Sequence, residues 1–148
     1  MSEEVLERNL FDDFSEDEIK DLLSFSRAYK FEQGQLLFNQ GDKDDSVIII
    51  NDGEIELSAI NSNNEEIAFS IIGNGTVLGE IAFFDGKPRT TSAKALTELE
   101  GIVITKGDFS RLETENPALA IKTLKEFGRI TAERLRVADE ILVDVVKV

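Results

Sequence analysis

Hydrophobic and polar positions change their periodicity twice along the chain and so divide it into three segments. In residues 1–28, Ser15 and Glu18 form the Ser-x-x-Glu pattern of a capping box, and the apolar residues that follow at helical spacing predict a short helix. Residues 29–106 hold eight of the ten glycines, which separate short runs rich in β-branched residues. Many short strands with regular turn signals are typical of a barrel or a sandwich.

The strands of the middle segment can be placed from the same pattern. An apolar run at residues 46–50 precedes a turn at 51–53, and the residues after this turn alternate with period two. A second turn at 61–64 predicts a hairpin with residues 66–71. The remaining predicted strands cover residues 36–38, 91–96 and 102–105.

Residues 107–148 are predicted to be helical. Asn116 is a good N-cap and Pro117 suits the first helical position, so a final helix of roughly 45 Å is expected to follow. One stripe along it has the spacing of heptad a and d positions and comprises Leu124, Gly128, Thr131, Leu135, Ala138, Leu142 and Val145. A second stripe comprises Phe127, Ile130, Arg134, Val137 and Ile141. We expect one stripe to pack on the strands and the other to meet a partner helix.

Composition narrows the possible chemistry. The chain has neither histidine nor cysteine, which excludes Ser-His-Asp and Cys-His catalysis, zinc sites built on these residues, and disulfides. With 30 acidic and 16 basic residues, the net charge is -14, which argues against direct binding to DNA or to an anionic membrane. No apolar segment has the length of a membrane span or the form of a signal peptide, so we expect a soluble cytoplasmic protein without a metal.

The segment over residues 78–90 carries the candidate chemistry. Gly79 permits a tight turn into a short helical turn at Glu80, where unpaired backbone N–H groups suit an anion. Arg89 lies close in sequence and can bind a phosphate through two nitrogens. A carboxylate beside a phosphate makes sense as an acceptor for sugar hydroxyls, so Glu80 points to a sugar phosphate. The alternative is a loop with a solvated Glu and Arg.

This segment resembles the phosphate-binding cassette of the cyclic nucleotide-binding domain family. The matching residues are Gly79-Glu80-Ile81-Ala82 and Pro88-Arg89-Thr90, with Leu78 where the family often has Phe. Residues 31–42 are similar to the family's first hairpin, and residues 46–50 and 53–55 match its next strand, turn and strand. Leu10-Phe11 and residues 108–117 also fit, so the resemblance covers nearly the whole chain, from about Leu10 to about Leu142.

The resemblance implies a fold and a set of binding residues. The expected fold is mainly β with flanking helices: a double-stranded β-helix, or jelly-roll-like β-roll, with N-terminal helices and a long C-terminal helix. Residues 1–148 would form one domain with the roll at 29–106 and the cassette at 78–91. By match, Glu80 takes the ribose 2′-hydroxyl and Arg89 the phosphate oxygens. The N–H groups around Gly79, Ile81 and Ala82 complete the cradle, with a hydroxyl or N–H from Thr90.

Two details of the match stay open. In the family the final helix contacts the base, and two alignments place this role either at Arg134 and Leu135 or at Ala138 and Asp139. Residues 83–84 are two phenylalanines where the family usually has small aliphatic side chains. These rings either crowd the site or pack behind it, and packing behind it is favoured.

The resemblance implies a non-enzymatic receptor for a cyclic nucleotide, with cyclic AMP favoured over cyclic GMP and no other cofactor. The final helix would relay binding to an effector protein that the sequence leaves unknown. Pairing of residues 120–145 with a second copy would form a parallel homodimer. Family members that regulate transcription carry a helix-turn-helix after this helix, and this sequence has none, so a stand-alone sensor is expected. The alternative is an interaction module of the same fold that has lost the nucleotide. A metal enzyme of the double-stranded β-helix type is disfavoured because the chain lacks histidine.

Overall fold

A computed structural model describes residues 9–73 and 75–146 of the chain. The described helices are α1 (Glu16–Ser24), α2 (Glu80–Asp85), α3 (Lys106–Glu115) and α4 (Pro117–Val145). The described strands are β1 (Arg27–Phe31), β2 (Leu36–Phe38), β3 (Val47–Asp52), β4 (Ile55–Ile60), β5 (Glu66–Ile72), β6 (Val77–Leu78), β7 (Ser92–Ala95) and β8 (Leu99–Ile104). These strands form two antiparallel sheets, ordered β1-β8-β3-β6 and β2-β7-β4-β5. The predicted β-roll with flanking helices and a long C-terminal helix is confirmed.

The strand pairing differs from the prediction at residues 31–42. This segment was expected to form a hairpin, but β1 pairs with β8 and β2 pairs with β7, so that prediction is wrong. Between the two strands the chain turns at Gly34, whose N–H donates to the carbonyl of Ala95 at 2.7 Å. Residues 27–38 therefore run antiparallel to residues 92–104 as one ribbon that passes from the first sheet to the second. The hairpin predicted across residues 61–64 is present, since β4 pairs with β5.

Strand β3 separates two hydrophobic cores. Val47 and Ile49 pack into the core between the first sheet and the helices. Ile48 and Ile50 pack into the core inside the roll. A run of four β-branched residues is typical of a strand that is buried on both faces, and this is the position that β3 occupies.

The flanking helices begin as the sequence predicts. Ser15 and Glu18 form a complete capping box at the start of α1, and the side chain of Asn116 accepts from the N–H of Leu119 at the start of α4. The buried residues of α4 face the first core and are Leu119, Ala120, Thr123, Phe127 and Ile130. The second predicted stripe therefore begins on the roll. The heptad stripe also begins on the first core, where Leu124 packs, but its later residues Leu135, Leu142 and Val145 are exposed.

None of the helices in residues 9–73 and 75–146 is both long enough and apolar enough to cross a membrane. These same residues contain no group of three or more Asp and Glu side chains placed to hold a metal ion.

Candidate functional site: a cavity between the roll and the final helix

A cavity of about 170 Å³ lies where the roll, α2 with the loop after it, and α4 meet. Its lining residues are Phe38, Leu57, Phe69, Leu78, Gly79, Glu80, Ile81, Ala82, Arg89, Thr90, Thr91 and Arg134. The two arginines and one glutamate give this lining a formal charge of +1, although the whole chain carries -14. The cavity is therefore a local site for an anion on a protein that otherwise repels anions.

Gly79 allows α2 and Arg89 to approach each other closely. Its φ of 80° lies in the left-handed region, and it precedes the first residue of α2. A Cβ at this position would lie 2.1 Å from Nη1 of Arg89, so a larger side chain would displace the guanidinium. The turn at Gly79 also directs Glu80 and Ala82 into buried positions on α2.

Arg89 is held by hydrogen bonds from both its main chain and its side chain. Its N–H donates to the carbonyl of Asp42 at 2.9 Å, and its carbonyl accepts from the N–H of Gly41 at 2.8 Å. Its guanidinium donates to the carbonyls of Ser46 at 2.8 Å and Gly79 at 3.1 Å. The side chain is 1% exposed, and its Nε has no hydrogen-bond partner in the described part of the chain. A buried guanidinium with an unpaired N–H beside a cavity is suited to bind an anion.

Asp44 compensates part of the Arg89 charge from the solvent side. Its carboxylate lies 3.4 Å from Nη2 of Arg89. Burial raises the pKa of Asp44, but hydrogen bonds from the N–H and hydroxyl of Ser46 and the positive charge of Arg89 outweigh burial and leave the pKa below its ordinary value. Asp44 is therefore charged at neutral pH and helps to hold the guanidinium in place.

Glu80 connects α2 to α4 across the cavity. Its Oε1 accepts from Nη1 of Arg134 at 2.8 Å, and Nη2 of Arg134 donates to the hydroxyl of Thr76. This ion pair neutralises a buried carboxylate that would otherwise repel an anion at Arg89. Nε of Arg134 is also buried without a hydrogen-bond partner among the described residues, so a second unpaired donor lies at the cavity.

The structure brings together the residues that the cassette pattern selected. Six of them line the cavity: Gly79, Glu80, Ile81, Ala82, Arg89 and Thr90. The four base-contact candidates on α4 separate into two groups. Arg134 lines the cavity and pairs with Glu80. The other three are exposed and lie outside the lining: Leu135, Ala138 and Asp139.

Several residues of the lining were not predicted from the sequence. Thr91 follows the cassette directly, and Phe38 and Leu57 lie on strands whose inward positions the alternation could have indicated. Phe69 had no such signal, because it shares the period-two pattern of Ile67 and Ile71, and all three are exposed.

The two phenylalanines of α2 lie outside the cavity lining. Phe83 is buried in the first core, where its ring packs edge-on against Phe109 at 5.4 Å and Phe127 at 5.9 Å between ring centroids. Phe84 is exposed. Packing behind the site, the favoured of the two predictions, therefore holds for Phe83, which joins α2 to α3 and α4, but not for Phe84.

A β-roll with a cavity for an anion between its strands and a long C-terminal helix is the architecture of a ligand-binding domain. The chain belongs to the cyclic nucleotide-binding domain family, whose model matches residues 29–116.

Two curated relatives show the kind of protein in which the domain occurs. The chain is 26% identical over 116 residues to the CRP-like cAMP-activated global transcriptional regulator of Mycobacterium tuberculosis, covering 78% of this chain and 50% of that protein. It is 26% identical over 130 residues to the cyclic AMP receptor protein of Thermus thermophilus, covering 88% of this chain and 58% of that protein. The chain thus spans about half the length of the curated relatives that it matches.

A solved structure resembles the chain over nearly its full length. A cyclic nucleotide-binding domain from Methylobacillus flagellatus superposes with a TM-score of 0.85 and is 27% identical, covering 99% of this chain and 83% of that one. The similarity therefore includes α1 and α4 as well as the residues that the family model matches.

Proposed function

We propose that this protein is a non-enzymatic receptor for a 3′,5′-cyclic purine nucleotide. The observation that carries the proposal is the buried guanidinium of Arg89, which has an unpaired Nε and lines one cavity with the carboxylate of Glu80. A cyclic nucleotide presents an anionic phosphate fused to a ribose with a free 2′-hydroxyl. This ligand therefore matches a cation and an acceptor that lie in the same cavity.

Each residue of the cassette has a role in this proposal. Arg89 holds the exocyclic phosphate oxygens, and Glu80 accepts the 2′-hydroxyl. The N–H groups of Ile81 and Ala82 and the hydroxyl of Thr90 complete the contacts to the phosphate. Cyclic AMP is favoured over cyclic GMP, and support comes from the two curated relatives, whose names specify cyclic AMP.

The proposal predicts stabilisation by cyclic nucleotide. Thermal unfolding is measured with cyclic AMP, with cyclic GMP and with non-cyclic AMP as the control. At about 100 times its dissociation constant, the cognate nucleotide is expected to raise the unfolding free energy by about 2.7 kcal/mol. The absence of a shift with both cyclic nucleotides would favour an interaction module of the same fold that has lost its ligand, and a tenfold preference for cyclic GMP would reverse the choice of base.

The Glu80→Gln variant tests the sugar contact. It is expected to weaken the binding of cyclic AMP by about 1.5–3 kcal/mol, since a charged acceptor strengthens a hydrogen bond from a hydroxyl. The 2′-deoxy analogue, which lacks that hydroxyl, is expected to lose much less affinity. Isothermal titration of both ligands separates this role from the effect of breaking the ion pair to Arg134, and equal losses for both would contradict the assignment.

Binding is proposed to reach other proteins through α4. The cavity of about 170 Å³ is smaller than the roughly 300–1,000 Å³ of most small-molecule sites, and Arg134 forms part of its wall. A ribose at Glu80 must therefore share the carboxylate with Arg134 or displace it. In either case the ligand interacts more favourably with one position of α4 than with another. A ligand shifts a conformational equilibrium only through such a difference in affinity.

The heptad stripe of α4 is proposed to pair with the same stripe of a second copy, which would form a parallel homodimer. Leu135, Leu142 and Val145 are 61%, 59% and 72% exposed, and an apolar row of this kind marks an interface. Apart from its chain neighbours and the backbone of its own helix, a Cβ added at Gly128 would have no described atom within 4 Å, so a partner helix can approach closely there. Heptad spacing makes the stripe complementary to itself, which fits a second copy as the occupant.

A further inference from the structure

One aromatic ring at the mouth of the cavity has no role in the proposal so far. Phe69 lies on β5, an edge strand of the second sheet, and is 55% exposed although it lines the cavity. It also lines a shallow depression on the sheet with Glu56 and Ile71. The ring therefore lies at the rim, between the cavity and solvent.

A break in strand register explains how Phe69 reaches the cavity. Leu57 pairs with Ser70, but the next residue of β4, Ser58, pairs with Ala68. Phe69 is thus the extra residue of a β-bulge. Bulges redirect side chains next to binding sites, and this one turns an otherwise outward position toward the cavity.

The other aromatic ring of the lining, that of Phe38, is already covered by a cation. The guanidinium of Arg89 lies over the ring of Phe38, 4.5 Å from its centroid, and Phe38 is buried. No ring or cation of residues 9–73 and 75–146 stacks on Phe69. Phe69 therefore offers an aromatic face that a ligand can cover.

The position of the polar groups indicates which part of a ligand would meet this ring. Arg89 and Glu80 account for the phosphate and the ribose, and both side chains are buried in the wall of the cavity. The exposed apolar residues of the lining are Phe69 and Ile81, so a base that extends from the sugar out of the cavity meets them. A purine has two large π-faces that pack well on an aromatic ring.

We propose that Phe69 is the stacking surface for the purine base, an inference that rests on the proposed function. Stacking uses the face of the base, which adenine and guanine share, so Phe69 contributes affinity without choosing between them. Discrimination between adenine and guanine must then come from groups that meet the edge of the base.

Alanine and tryptophan variants test this inference. Phe69→Ala is expected to lower the affinity for cyclic AMP and for cyclic GMP to a similar extent, by about 5- to 150-fold. The chain contains no tryptophan, so Phe69→Trp introduces a single indole, whose emission can be excited selectively and which keeps a stacking face. We expect Phe69→Trp to bind within about threefold of the wild type and its emission to be quenched as a stacked base covers the indole.

Two controls separate stacking from a general effect on the strand. Ile67→Ala removes a comparably exposed apolar side chain of β5 that lies outside the cavity lining, and it should leave affinity unchanged. A ribose 3′,5′-cyclic phosphate that carries a methoxy group in place of the base should bind wild type and Phe69→Ala equally. If Phe69→Ala fails to fold, Phe69→Leu, which keeps the apolar volume without a π-face, takes its place with the same expected direction.

The outcomes distinguish this inference from the proposed function. If the wild type binds neither cyclic nucleotide, the proposed function fails, and the role of Phe69 fails with it. If the wild type binds and Phe69→Ala binds equally well, only the role of Phe69 is overturned. An equal loss for the base-free ligand would also overturn it, because Phe69 would then shape the site without touching the base.

Discussion

Replacing Arg89 with alanine is expected to weaken cyclic nucleotide binding by about 2–5 kcal/mol, the usual cost of removing one partner from a buried charge pair. The side chain is 1% exposed and supplies the cation that the cassette places nearest Gly79. Without it, the phosphate would be desolvated beside the carboxylate of Glu80. Isothermal titration with cyclic AMP measures the effect directly.

Two further variants make this test specific. Lys87→Ala removes the same charge from an exposed position two residues away and outside the cavity lining, so it should bind almost as well as the wild type. Arg89→Lys keeps the charge but loses the planar fork, and should fall between alanine and wild type. Since Arg89 also bonds Ser46 and Gly79, the unfolding temperature of each variant must be measured in parallel. An Arg89→Ala protein that is folded and binds with unchanged affinity would show that the phosphate is held elsewhere.

Two glutamates in the heptad stripe of α4 are expected to convert the proposed dimer into a monomer. In the Leu135→Glu, Leu142→Glu double variant, a two-fold interface would bring like charges together, which costs several kcal/mol. Both positions are exposed in the single chain, so the roll should stay folded. Light scattering gives the mass, and circular dichroism checks the fold.

A matched control lies on the same helix. Val143 is 72% exposed on α4 and directly follows Leu142, so it lies outside the heptad stripe, and Val143→Glu should remain dimeric. A wild type that is monomeric at micromolar concentration would contradict the dimer, and a double variant that remains dimeric would move the interface to another surface.

Local signals in the sequence identified most of the elements that position the site. Ser15 and Glu18 act within one helical turn, and Gly79 acts on its own backbone, so their effects can be predicted from short patterns. The hydrogen bond from the N–H of Gly41 to the carbonyl of Arg89 joins residues 48 positions apart. No local pattern predicts this contact, because it depends on how the whole roll folds.

Long-range pairing explains the structural features that local sequence patterns did not predict. Residues 31–42 carry the glycine and turn signals of a hairpin, but the partner of each strand is set by the whole roll. Phe69 follows an outward alternation that one register shift overrides. The ion pair of Arg134 with Glu80 depends on where α4 crosses the cavity, which the two alignments of the final helix left undecided.

The attachment of α4 has a mechanical consequence. Ile130 is the last residue of the helix that is buried, and the chain continues as a helix to Val145. At 1.5 Å per residue, Arg134 lies about 6 Å beyond that anchor and Val145 about 22 Å beyond it. A rigid rod pivoting at Ile130 would thus multiply a displacement at Arg134 nearly fourfold at its tip. A shift of about 1 Å beside the sugar would become about 4 Å at the end of the helix, roughly the width of a methyl group.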